Sequence, residues 1–113
     1  MVDTLYGPGV LDVARVVEED QCYALFLLTG DIDEIVAPRL LEQLVTAARL
    51  PEIDLVIVDL IRVDFCGASG ANCLDAAHRA AGRHGAELVL TRPSQFVRRV
   101  LQITGLAHLV ADE

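Results

Sequence analysis

The chain is poor in the residues that several functions depend on. It has no tryptophan, two tyrosines and three phenylalanines, and these show no spacing that would stack bases. Its nine basic residues, all arginine, are outnumbered by seventeen Asp and Glu, giving a net charge of −8. The basic residues are scattered, and only Arg98 and Arg99 are adjacent. A nucleic-acid partner needs clustered cations to displace counterions from phosphates, so this balance argues against DNA or RNA. No apolar run approaches the ~20 residues that a membrane helix requires. The N-terminal MVDTLYGPG has neither the basic start nor the apolar centre of a signal peptide. The expectation is a soluble, cytoplasmic protein with no membrane partner.

Cysteine is also scarce. Cys22, Cys66 and Cys73 make an odd number without a framework spacing, which suggests reduced thiols. The C-x6-C spacing matches no common zinc pattern and the three histidines lie apart from it, so no metal and no cofactor are expected.

What the chain does have is aliphatic density. It is 53% hydrophobic over 113 residues, enough for one core and one domain spanning 1–113, with residues 1–8 read as an N-terminal extension. Residues 9–18 and 22–29 read as strands joined by a polar turn at 18–21, and residues 53–60 form a third strand that is apolar but for Asp54 and Asp59. Residues 87–90 make a short fourth strand. Helical spacing over 36–49 puts Val36, Leu40, Leu41, Leu44, Val45 and Ala48 on one stripe, with Pro38 at its start and Pro51 beyond its end. A second helix over 69–83 aligns Gly70, Leu74, Ala77, His78 and Ala81. A third over 94–104 turns Phe96, Val97, Val100, Leu101 and Thr104 inward, with Gly105 just past its end. The alternation from residue 22 onward predicts an α/β domain: a four- to five-stranded mixed, largely parallel sheet packed with three to four helices. The first strand is expected at an antiparallel edge. Counting leaves open whether helices cover one face or both, and whether the chain is a monomer or a homodimer.

The third strand leads through a short connector into Gly67-Ala68-Ser69-Gly70, which opens the second helix. Free backbone N–H groups and the positive end of a helix dipole face outward at such a junction. Function is expected there. The turn has no lysine and lacks P-loop spacing. No nucleophile, base and orienting group can be assembled from the chain, so an enzyme is not expected.

These segments together resemble the STAS domain family, specifically the bacterial anti-sigma factor antagonists. Leu28-Thr29-Gly30-Asp31-Ile32-Asp33 is similar to the family's L-x-G-x-L-D, and Ala37-Pro38-Arg39-Leu40 to its following helix start. Val56-Ile57-Val58-Asp59-Leu60 with Val63-Asp64-Phe65 resembles V-x-D-L-x-x-V-x-F. Ala86 to Leu90 resembles G-x-x-L-x-L, and the stretch from Val97 to Leu106 resembles V-x-R-V-L-x-x-T-G-L. The likeness runs from about residue 10 to 110. It implies a non-enzymatic regulator of transcription, active in sigma-factor circuits such as stress responses. Such a protein binds an anti-sigma factor of kinase-like ATPase fold and thereby releases a sigma factor.

The resemblance breaks at one place. Family members carry Asp-Ser-Ser/Thr-Gly before the second helix, and the partner kinase phosphorylates the first hydroxyl to abolish binding. Aligning Gly70 with the family glycine puts Gly67 at the aspartate and Ala68 at the phosphoacceptor, so the usual hydroxyl is lost. Ser69 remains as a substitute acceptor, or as an N-cap or first-turn hydroxyl bonding a backbone N–H. The implied partner-binding set is Asp31, Asp33, Cys66, Gly67, Ala68, Ser69, Gly70, Asn72 and Cys73.

Three readings follow: a constitutive antagonist, one under another control such as oxidation of Cys66, Cys73 or Cys22, or a scaffold relative outside the sigma circuit. A small-ligand or nucleotide-sensing module at residues 67–70 is the reading from a different class. Cys66 lies where a helix dipole favours thiolate, or is simply a small apolar core residue. A helical path would part Cys66 and Cys73 by about 10 Å, beyond the ~7 Å reach of a disulfide. Asp31 and Asp33 read equally as partner contacts or as acids preceding a helix. Asp59, Asp64, His78 and Arg79 are read as structural or surface residues.

Overall fold

Two parallel strands with alternating apolar residues dictate the layering. In a computed structural model, residues 2–6, 11–17 and 22–111 are described, with side chains from Cys22 onward. The elements are β1 (Val2–Tyr6), β2 (Leu11–Val17), β3 (Cys22–Ile32), α1 (Ala37–Ala48), β4 (Leu55–Cys66), α2 (Ala68–Arg83), β5 (Glu87–Thr91) and α3 (Gln95–Ile103), followed by a 3₁₀ turn at Ala107–Leu109. The five strands lie in sequence order in one sheet. Strand β2 is antiparallel to both β1 and β3, whereas β3, β4 and β5 run parallel.

The α/β class, the mixed sheet and the three helices agree with expectation. Three boundaries differ. A strand, β1, lies within the segment read as an extension, so β2 is not an edge strand but sits between β1 and β3. Strand β3 runs on to Ile32, and β4 continues through the supposed connector to Cys66. The turn expected at residues 18–21 lies outside the described residues, although Val17 and Cys22 on either side of it are paired.

Residues of alternate parity define the buried face. Ala24, Phe26 and Leu28 of β3 stand beside Val56, Val58 and Leu60 of β4 and Leu88 and Leu90 of β5, all nearly inaccessible. The connections from β3 to β4 and from β4 to β5 step in the same direction. Right-handed crossovers then place α1 and α2 side by side on one face. Leu40 and Leu44 of α1 and Leu74, Ala77 and Ala81 of α2 complete this core. Tyr23, Leu25, Leu55, Ile57 and Val89 alternate onto the opposite face and are only half-buried, and Leu27 beside them is exposed.

Helix α3 contributes less than its sequence suggests. Val97 and Leu101 are buried, but Phe96 is 53% exposed and Thr104 turns outward. Instead of entering the core, Phe96 stacks on Phe65 with ring centroids 5.9 Å apart. The helix starts at Ser94, whose Oγ accepts from the Val97 N–H at 3.1 Å. It ends at Gly105 (φ +79), where the Leu106 N–H reaches the Leu101 carbonyl at 2.7 Å and the Gly105 N–H reaches that of Gln102 at 3.2 Å. This paired reversal carries the buried Leu106 and Leu109 back onto the core.

Candidate functional site

Parallel strands β3 and β4 end at the same rim, and that shared ending builds the site. Asp31 pairs with Phe65 and Ile32 with Cys66, and the Gly67 N–H then donates to the Ile32 carbonyl at 3.3 Å. Gly67 is the N-cap of α2 in an extended conformation and supplies no side-chain cap. One N–H of the expected anion-binding turn is therefore already committed to β3.

The first helical turn divides sharply between inside and outside. Ala68, Ser69 and Asn72 are exposed, whereas Gly70, Ala71 and Cys73 are buried. Gly70 is required by close approach: a Cβ there would stand 2.8 Å from the Ile32 carbonyl oxygen and 2.9 Å from the Cys66 Sγ. The capping role considered for Ser69 is not realised, because Gly67 occupies the N-cap position and Ser69 is the second helical residue. Its exposed hydroxyl makes no hydrogen bond among the described residues.

The acids separate into two roles. Asp33 starts α1: its Oδ1 accepts from the N–H groups of Ile35 and Val36, both at 3.0 Å, and its carbonyl accepts from Ala37 at 2.9 Å. Asp31 remains exposed at the rim. The two cysteines are core atoms. Burial pushes the Cys66 thiol up to about 11, and burial followed by the neighbouring Cys66 pushes Cys73 up to about 12. The helix start therefore does not produce a thiolate, and both residues fit the small-apolar alternative. Cys22, half-buried at the start of β3, stands apart from this rim, and all three are free thiols.

Sequence reasoning missed the partner of this helix start. Ala37, Pro38 and Leu41 of α1 face Ser69, Asn72, Cys73 and Ala76 of α2 across a shallow, almost wholly apolar groove of about 370 Å³. Ile35, 78% exposed, lies two residues before Ala37 in the chain. Phe65, stacked on Phe96, flanks Gly67, with its carbons 3.2 and 3.3 Å from where a Cβ at that position would lie. The isolated Pro38 and Leu41 were legible as helix residues, but nothing in their spacing says that α2 lies beside them. No group of three or more His, Cys, Asp or Glu residues that could hold a metal exists among the described residues. No helix among them is long and apolar enough to cross a membrane.

The remaining candidates lie elsewhere. Asp59 is buried and ion-paired to Arg92, and Asp64 is exposed. Arg79 pairs with Asp75 on the surface of α2, and His78 meets His108 edge-on at 6.0 Å.

The chain aligns with SpoIIAA, an anti-sigma factor antagonist, in its unphosphorylated form: TM-score 0.74 and 21% identity over 88% of this chain and 85% of that one. The Bacillus cell fate determinant SpoIIAA in its phosphorylated form gives 0.71 and 21% over 91% and 90%. An anti-sigma factor antagonist from Mycobacterium paratuberculosis gives 0.66 and 23% over 87% and 82%. These likenesses establish a SpoIIAA-like fold. A 72-residue segment is 29% identical to sulfate transporter 1.3 of Arabidopsis thaliana, covering 64% of this chain but only 11% of the transporter's length. The STAS domain model matches residues 14–112, nearly the whole chain, and the protein therefore belongs to the STAS domain family.

Proposed function

We propose that this protein is an anti-sigma factor antagonist whose grip is not controlled by serine phosphorylation. It binds an anti-sigma factor of kinase-like ATPase fold and so releases a sigma factor for transcription. One observation carries the reading: an exposed α2 start, with Ala68 at its first position, opens directly beside an apolar groove on a SpoIIAA-like scaffold. The groove supplies burial, and Asn72 and Asp31 supply polar contacts around it. Its small residues let a partner's backbone come close to α2.

The lost switch follows from charge and position. A phosphate on the first helical residue would bring up to two negative charges into a packed interface of an already acidic protein, where repulsion and desolvation expel the partner. Ala68 has no hydroxyl to carry it. Ser69 points its hydroxyl to solvent one residue later, about 100° around the helix from the family position. Binding is therefore constitutive, and supply of the protein sets the output.

Isothermal titration against anti-sigma factors of the kinase-like fold, with and without ATP, tests the reading. Saturable binding unaffected by ATP supports it. Absence of binding to every such partner ends it.

A further inference from the structure

The sheet holds a second concavity, away from the α2 rim. It encloses about 350 Å³ and is lined by Leu27, Thr29, Asp59, Ile61, Arg62 and Arg92. Several local departures from regular strand geometry create it. Leu27 pairs with Asp59, but Thr29 pairs with Arg62, so β4 advances by one residue more than β3. This bulge turns two consecutive residues, Ile61 and Arg62, outward. The Asp59 Oδ1 holds the bulge by accepting from the Ile61 N–H at 3.1 Å. At the end of β5, Arg92 takes a left-handed conformation (φ +52) that few non-glycine residues adopt. Its guanidinium then reaches back to both oxygens of Asp59.

Strain, a bulge and an ion pair between buried Asp59 and half-exposed Arg92 at one spot on a sheet are a costly way to build a wall. They are a common way to build a binding site. The charges at the spot are asymmetric. Asp59 and Arg92 neutralise each other, while Arg62 has no ion-pair partner among the described residues. Among the described residues that line the pocket, Arg62 is thus the cation not engaged by a carboxylate, in a chain of net −8. Its floor is aliphatic, with Leu27 39% and Ile61 53% exposed.

We propose that this pocket binds a small amphipathic carboxylate. The planar guanidinium of Arg62 takes the carboxylate in a forked contact, and Leu27 and Ile61 cover the aliphatic body. A monoanion suits the site better than a phosphate dianion, because the Asp59 carboxylate lines the same pocket as Arg62 and repels a second negative charge. The volume lies at the small end of ligand pockets.

Hexanoate titrated into the ¹⁵N-labelled full chain is the test, with hexan-1-ol and inorganic phosphate titrated at matched ionic strength. The expected result is saturable amide shifts at Thr29, Ile61, Arg62 and Val63 with hexanoate alone. Affinity falls at least tenfold, about 1.4 kcal/mol, in Arg62→Gln and falls again in Ile61→Ser. Both residues are exposed, so the variants keep the fold, and unchanged amide shifts elsewhere verify this. No saturation, equal affinity in Arg62→Gln, or equally tight binding of hexanol or phosphate would overturn the assignment.

Discussion

Gly70 and Ile32 are in contact through backbone: a methyl group added to Gly70 would lie 2.8 Å from the Ile32 carbonyl oxygen, which cannot swing away as a side chain could. The same oxygen accepts the Gly67 N–H, so β3 and the start of α2 are fixed to one another at a single atom. Gly70→Ala is expected to destabilise the fold by about 1–3 kcal/mol, in the range of core overpacking. Thermal unfolding should show a clear drop in Tm. An unchanged Tm would mean that the helix start is free to shift.

Asp59 has two duties, and they can be separated. Asp59→Asn keeps an oxygen for the Ile61 N–H but loses the charge facing Arg92, and should cost about 1 kcal/mol. Asp59→Ala removes both and should cost about 2–3 kcal/mol. Urea denaturation of the two variants gives the comparison. Equal losses would show that the bulge does not depend on this carboxylate.

Ser94 is the side-chain cap of α3, accepting from the Val97 N–H. Ser94→Ala should cost about 1 kcal/mol, whereas Ser69→Ala should change stability by less than about 0.5 kcal/mol. Denaturant midpoints of the two alanine variants distinguish a capping serine from an uncommitted one.

The buried thiols give stability a dependence on alkaline pH. In the unfolded chain a cysteine titrates near its ordinary value of 9.0, but folded Cys66 and Cys73 hold their protons to about 11 and about 12. The unfolded state therefore loses protons first. The stability contributed by keeping both thiols neutral is fully present below about pH 9 and is lost as pH rises toward 11 and 12. Unfolding free energy measured across that window should fall, and Cys73→Ala should flatten the fall. Thiol labelling at neutral pH should be slow at both positions in the native protein and fast after unfolding.

The parts of this fold that were legible in the sequence are those set by local periodicity. Leu40 and Leu44, or Leu74, Ala77 and Ala81, announce helices because one stripe must be buried whatever covers it. The third strand was legible only to Leu60. Beyond it Arg62 and Asp64 break the apolar run, so a strand continuing through bulges reads as a connector. The one-sided coverage of the sheet follows from strand order, which no local pattern specifies. Phe96 reads as core by spacing alone, but its actual partner, Phe65, lies on β4. The site was half visible for the same reason. The exposed α2 start was evident from Gly67 to Gly70, whereas the α1 wall of the groove, Pro38 and Leu41, depends on two helices meeting across the chain.

The proposed loss of the acceptor hydroxyl makes a reversal experiment available. Ala68→Ser places a hydroxyl at the proposed acceptor position, which is exposed, and should leave stability within about 0.5 kcal/mol. Bulk or charge at the same position should break the grip: Ala68→Glu is expected to weaken partner binding by at least tenfold, about 1.4 kcal/mol, without unfolding the chain. Titration against the anti-sigma factor reads this directly.

The central claim is a binding surface retained without its phosphorylation switch. Intact-mass analysis joined to binding, after incubation with the partner kinase and ATP, tests it most directly. The account predicts that the native chain gains no phosphate and stays bound, while Ala68→Ser gains one phosphate and dissociates. Phosphorylation of the native chain at Ser69 with loss of binding would contradict it.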